Sequence, residues 1–147
     1  MTLVRRQLIR NSWAQIVPVA DQAAALFYER LFEIDPSTRC LFRTADVEQQ
    51  RKKLLELLGV VVHGLDDLDV LSAMLEGLGR RWAGCGVKDR HYEAVGTALL
   101  WTLQQGLGPS WTPEVAAAWS EVYALLSAVM RAAQRQAAFE ASSRPAA

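Results

Sequence analysis

Residues 47–63 read VEQQRKKLLELLGVVVH, and their spacing sets the fold class. At about 100° per residue of an α-helix, Gln50, Leu54, Leu57 and Val61 fall within one narrow arc. The segment is therefore an amphipathic helix from about Val47 to His63, broken by the following GLDD. One polar residue, Gln50, heads an otherwise apolar stripe. A core stripe with a glutamine at its solvent edge accounts for that pattern, and so does the wall of a pocket.

The same spacing extends outward in both directions. A first helix is expected from about Leu3 to Val17, stopped by Pro18, and a second from about Val19 to Ile34, ending at Asp35-Pro36. A short helical turn follows Pro36. Beyond GLDD, helices are expected over about Leu68–Arg81, ended by AGCG, and over about Asp89–Gln105, ended by Gly106 and Gly108-Pro109. The last begins with Thr112 as N-cap and Pro113 in its first turn, and runs to about Ala138. Nowhere do five or more residues alternate convincingly, so the class is all-α. Residues 1–138 are expected to form one domain and residues 139–147 a flexible C-terminal tail. Two further faces stand out: Tyr92, Val95, Leu99 and Leu103 share one, and Leu126, Met130 and Gln134 share another.

Composition narrows the function classes. With 147 residues, 51% of them hydrophobic, the chain can bury a sizeable core. Sixteen basic and sixteen acidic residues cancel, which gives no basis for nucleic-acid binding. The opening MTLVRRQLIRNSWAQIV mixes charge into an apolar periodicity, and no run approaches the ~20 apolar residues of a membrane span. A cytoplasmic protein with no membrane partner is expected. Cys40 and Cys85 have no CxxC spacing and are too few for a disulfide framework, so they read as buried thiols in a reducing compartment. The sequence leaves a homodimer open.

Taken together, ALFYERLFEIDP followed by LF, EQQRKKLLELLG, LGRR then GVKDRHYEAVG, and AWSEVYALLSAVM resemble the globin family. The resemblance covers nearly the whole chain and is to the bacterial single-domain haemoglobins and the globin domain of flavohaemoglobins. It implies a globin fold of helices A, B, C, E, F, G and H around a haem pocket. It places Tyr28 and Gln50 where the family keeps distal groups that hydrogen-bond a diatomic ligand, and Phe42 where a phenylalanine wedges against the porphyrin. Leu54 and Leu57 would line the distal side, with Val95 on the facing stripe. Lys53 and Arg81 fall where basic residues pair with haem propionates, although a solvated surface charge explains either equally well.

On the proximal side the sequence departs from the family. Where the pattern has a histidine ligand, a tyrosine and a glutamate, this chain has Trp82, Tyr92 and Gln134. An indole offers a donor N–H and no available lone pair, so Trp82 cannot replace imidazole as an iron ligand. Gln134 fits that change, because a buried carboxylate without the ligand it tunes is a costly charge. The two histidines do not fill the gap. His63 points roughly 220° around its helix from Gln50, and His91, adjacent to Tyr92, reads as a capping or surface residue. Cys85, three residues past Trp82, could ligate haem as a thiolate, but the flanking glycines make it first a small residue at a turn.

Two readings stay open. One is a haem-binding globin with an atypical proximal side, in which Tyr28 and Gln50 address oxygen, nitric oxide or carbon monoxide. It is preferred narrowly because that pair shows no packing role in the sequence. The other is a haem-free globin, a binding or signalling module whose pocket Trp82 fills. Catalysis is expected less than binding: nitric oxide dioxygenation of the flavohaemoglobin type would need an external reductase, since the chain carries no Gly-rich phosphate motif.

Overall fold

The computed structural model describes residues 2–42 and 47–143, apart from the side chains of residues 41, 42, 47 and 143. Among the described residues six α-helices follow one another: α1 (Leu3–Ile16), α2 (Ala20–Ile34), α3 (Val47–His63), α4 (Leu68–Ala83), α5 (Asp89–Leu107) and α6 (Pro113–Ser143). Short 3-10 segments link α1 to α2 at Val17–Val19 and follow α2 at Pro36–Phe42. No strand occurs among the described residues, so the all-α expectation holds. The largest departure is at the C-terminus, where α6 continues past Ala138 to Ser143. A fork of hydrogen bonds from Arg80 to Glu140, at 2.8 and 3.2 Å, gives that last turn a partner on α4.

Helix ends follow their local chemistry. Thr112 caps α6 by accepting from the Val115 N–H at 3.2 Å, with Pro113 in the first turn where its missing N–H costs nothing. At the start of α5, His91 Nδ1 accepts from the Lys88 N–H at 2.7 Å. That bond leaves the neutral imidazole with its proton on Nε2, which lies 2.8 Å from Ser37 Oγ and donates to it. The Ser37 hydroxyl in turn donates to Asp35 Oδ1 at 2.5 Å, and this bond holds the Asp35 carboxyl below the usual carboxylate range. His91 is thus a cap, as expected, but a buried one. The turn after α4 depends on Gly86, whose φ of +67° is strained for any residue with a Cβ.

α2 packs on α5 and α3, α4 lies along α6, and α1 bridges α6, α3 and α5. The core runs through Ile9, Ile16, Phe27, Leu31, Val61, Tyr92 and Trp119, all essentially inaccessible. The indole N–H of Trp119 donates to Ser12 Oγ at 2.9 Å, which satisfies a polar group that burial would otherwise penalise.

Gly79 sets the distance between α4 and α6. A Cβ there would lie 2.6 Å from the Met130 carbonyl oxygen and 2.9 Å from its Cα. Backbone atoms cannot rotate away, so Gly79→Ala must push the two helices apart. We expect a loss of about 1–3 kcal/mol in urea denaturation, although alanine ordinarily gains up to ~1 kcal/mol over glycine in a helix. Gly77→Ala, on the exposed side of α4 with open space around it, supplies the control and should be neutral or stabilising.

Candidate functional site

A cavity of about 60 Å³ lies among Phe27 of α2, Leu54, Leu57, Leu58 and Val61 of α3, Leu75, Leu78 and Trp82 of α4, Tyr92, Val95 and Leu99 of α5, and Tyr123, Leu126, Ser127 and Met130 of α6. The stripe on α3 and the last turn of α4 therefore meet at one place. Each arrives by helical periodicity: Leu54, Leu58 and Val61 recur at four and three, as do Leu71, Leu75, Leu78 and Trp82.

Trp82 is buried in the last turn of α4, its ring 5.7 Å from that of Tyr92 and tilted by 45°. Beneath it the Tyr92 hydroxyl donates to Gln134 Oε1 at 3.1 Å, and the Gln134 amide donates to the Val87 carbonyl at 2.5 Å. Three elements are tied by one neutral side chain. Burial pushes the Tyr92 phenol above its ordinary range, and the Arg131 guanidinium, 4.8 Å over the same ring, opposes that shift. The Tyr123 hydroxyl donates to the Tyr92 carbonyl, and its ring lies where a Cβ on Gly96 would sit.

Tyr28 and Gln50, twenty-two residues apart, also meet. The Tyr28 hydroxyl donates to the Gln50 main-chain carbonyl at 3.0 Å, and burial raises the phenol well above its usual range. The bond goes to backbone, and neither residue is among those lining the cavity; Gln50 stands one turn before Leu54. Tyr28 also has a packing role that the sequence does not reveal, with its ring edge-on to Phe27 at 5.2 Å and stacked near Phe32 at 6.0 Å.

The remaining expected residues separate. Lys53 and Arg81 are exposed and make no ion pair among the described residues. The Phe42 side chain lies outside the described residues. Cys85 does not line the cavity; its Sγ donates to the Cys40 carbonyl at 3.0 Å. Both cysteines are partly exposed, whereas the sequence reading had them buried, because the turn and the 3-10 segment that carry them run along the edge of the helical core. His63 ends α3 exposed, as expected. Sequence reasoning missed Tyr123, although Tyr123, Leu126, Ser127, Met130 and Gln134 share one face of α6 at three- and four-residue spacing.

These residues fit a flat apolar macrocycle in one respect and fail it in another. The walls are aliphatic and aromatic, as porphyrin faces require. The donor set supplies no imidazole: neither histidine lines the cavity, and His91 has both ring nitrogens engaged elsewhere. Among the described residues no cluster of three His, Cys, Asp or Glu could hold a metal ion.

Gln134→Leu should leave the Tyr92 hydroxyl without its acceptor and the Val87 carbonyl without that donor. A loss of about 1–3 kcal/mol is expected in denaturant unfolding. Adding Tyr92→Phe should cost less in that background than alone, since the two residues share one bond.

The match to the globin family model spans residues 25–130, which contain every residue lining the cavity. The chain is 31% identical over 137 residues to a neuroglobin of Danio rerio, an alignment covering 84% of this chain and 86% of that one. It is 30% identical over 139 residues to an anaerobic nitrite reductase of Oryza sativa subsp. indica, covering 91% and 96%. To a neuroglobin of Tetraodon nigroviridis it is 33% identical over 139 residues, covering 85% and 87%. A chain whose described residues form helices and no strand, whose cavity falls inside the matched span, and which aligns with these relatives over most of their length, belongs to the globin family.

Proposed function

We propose that this globin binds haem in the cavity between α3 and α4, held by burial of the macrocycle's faces and without an imidazole ligand. On this reading Tyr28 and Gln50 address a diatomic ligand such as oxygen, nitric oxide or carbon monoxide. The observation that carries the reading is the arrangement on α3: an apolar wall of Leu54, Leu57, Leu58 and Val61, with the Tyr28–Gln50 pair one turn before it. Burial contributes about 25 cal/mol per Å² whatever the axial ligand. Haem, when bound, supplies the iron at which the gas is held. The leucines of α3 and α4 exclude water around it, Val95 and Tyr92 close the side toward α5, and Lys53 and Arg81 pair with its propionates. To donate to the gas, the Tyr28 hydroxyl gives up the Gln50 carbonyl.

The distal pair supports a protein of the bacterial single-domain haemoglobin and flavohaemoglobin-domain type, and a cytoplasmic location goes with that reading. No described helix is long and apolar enough to cross a membrane. The rice relative is named for nitrite reduction; in this chain such turnover, like nitric oxide dioxygenation, needs electrons from an external reductase. Binding is the reading we favour.

A second reading, a haem-free globin acting as a binding or signalling module, draws support from the cavity volume. Among the described residues it amounts to about 60 Å³, against the roughly 300–1,000 Å³ of pockets that hold small-molecule ligands. The Trp82 indole, packed on Tyr92, fills the adjoining space.

Hemin titration of wild type and of Trp82→His separates the two. The haem reading expects saturable one-to-one uptake by wild type, with tighter binding and a five-coordinate histidine-type ferrous spectrum in Trp82→His. Uptake by Trp82→His alone would move the assignment to the pocket-filled globin. Absence of that spectrum in Trp82→His means that residue 82 does not stand at the ligand position.

A further inference from the structure

We propose that Cys40 and Cys85 form a redox couple that closes to an intramolecular disulfide, tying the segment after α2 to the turn after α4. This inference does not depend on the haem reading. These are the chain's two cysteines, forty-five residues apart. Both are thiols and both are partly exposed, so an oxidant can reach them. The Cys85 sulfur lies 3.0 Å from the Cys40 carbonyl oxygen, and a carbonyl oxygen is only about 2.4 Å from its own Cα. The sulfur of one cysteine thus rests against the main chain of the other. That contact keeps the two Cα atoms within about 8 Å of each other and a disulfide spans about 4.4–6.8 Å, so closure calls for side-chain rotation and a backbone shift of at most about an ångström or two.

Both residues are also held in place independently of each other. The Cys85 N–H donates to the Trp82 carbonyl at 2.9 Å and the Gly86 N–H to the Ala83 carbonyl at 3.0 Å, which fixes the turn. On the other side, the fully buried Thr38 donates through Oγ1 to the Asp35 carbonyl at 2.7 Å. The Ser37–His91 hydrogen bond of 2.8 Å then fastens the same 3-10 segment to the start of α5. Two separate anchors bring the thiols together, so the entropy of closing a forty-five-residue loop is already spent in the folded protein.

The oxidant is a peroxide. One thiolate attacks a peroxide oxygen, giving a sulfenic acid and, with hydrogen peroxide, one water. The second thiolate attacks that sulfur, the S–S bond forms, and the hydroxyl group leaves as a second water after taking up a proton. Two sulfurs lose one electron each, and the peroxide gains both. The product ties the turn that begins at Trp82 to the end of the segment that follows α2.

The fully reduced protein is treated with limiting hydrogen peroxide, alkylated, and analysed as monomer by intact mass and peptide mapping. The expected result is a monomer lighter by two hydrogens, unalkylated, with one cross-linked peptide joining Cys40 to Cys85. Its thermal midpoint should rise by roughly 5–10 °C and fall again on adding dithiothreitol. Cys40→Ser and Cys85→Ser should show neither change. A monomer that keeps both alkylatable thiols, thiols oxidised to sulfinic acids, or a disulfide-linked dimer as the main product would each overturn the proposal. The wild-type peptide map decides the matter even if a serine variant folds poorly.

Discussion

The residue at the end of α4 constrains everything around it. Trp82 brings a large apolar ring and a donor-only nitrogen to a buried position, so its neighbours must supply packing and neutral hydrogen bonds. The residues beneath it do so. Gln134 accepts from the Tyr92 hydroxyl and donates to the Val87 carbonyl, and Tyr123 donates to the Tyr92 carbonyl. A carboxylate in place of Gln134 would accept from Tyr92 but could not donate to Val87, and it would carry a charge into a half-buried site. The glutamine is therefore the side chain that completes this network, and the tryptophan and glutamine belong to one design.

The close approach of α4 to α6 belongs to the same design. Gly79 lets α4 lie directly on the Met130 backbone, which brings the last turn of α4, and so Trp82, against the face of α6 that carries Tyr123, Met130 and Gln134. Without that contact the indole would stand away from Tyr92 and the cavity would lose one wall. Helix packing, hydrogen bonding and the volume left for a ligand are set by the same few residues.

Much of this was legible in the sequence, for physical reasons. The boundaries of α3 followed from its amphipathic stripe, and Thr112-Pro113 announced the start of α6 because cap chemistry is local. The Tyr92–Gln134 bond was foreseeable from helical faces combined with the family resemblance. Tertiary reach was less legible. α6 passes Ala138, and there Glu140 meets Arg80 of another helix, a contact that no local spacing shows. Tyr28 has packing partners and a backbone acceptor on Gln50, where the sequence showed only a polar pair. The meeting of Cys40 with Cys85 depends on where a turn and a 3-10 segment come to rest, and no spacing rule encodes that.

The central claim is that haem is held here by apolar burial and a neutral proximal network, without nitrogen ligation from the protein. Resonance Raman spectroscopy of the hemin-loaded, reduced wild-type protein tests it most directly. The account predicts saturable one-to-one loading and no iron–histidine stretching band. An iron–histidine band, or failure of the protein to take up hemin at a single site, would contradict it.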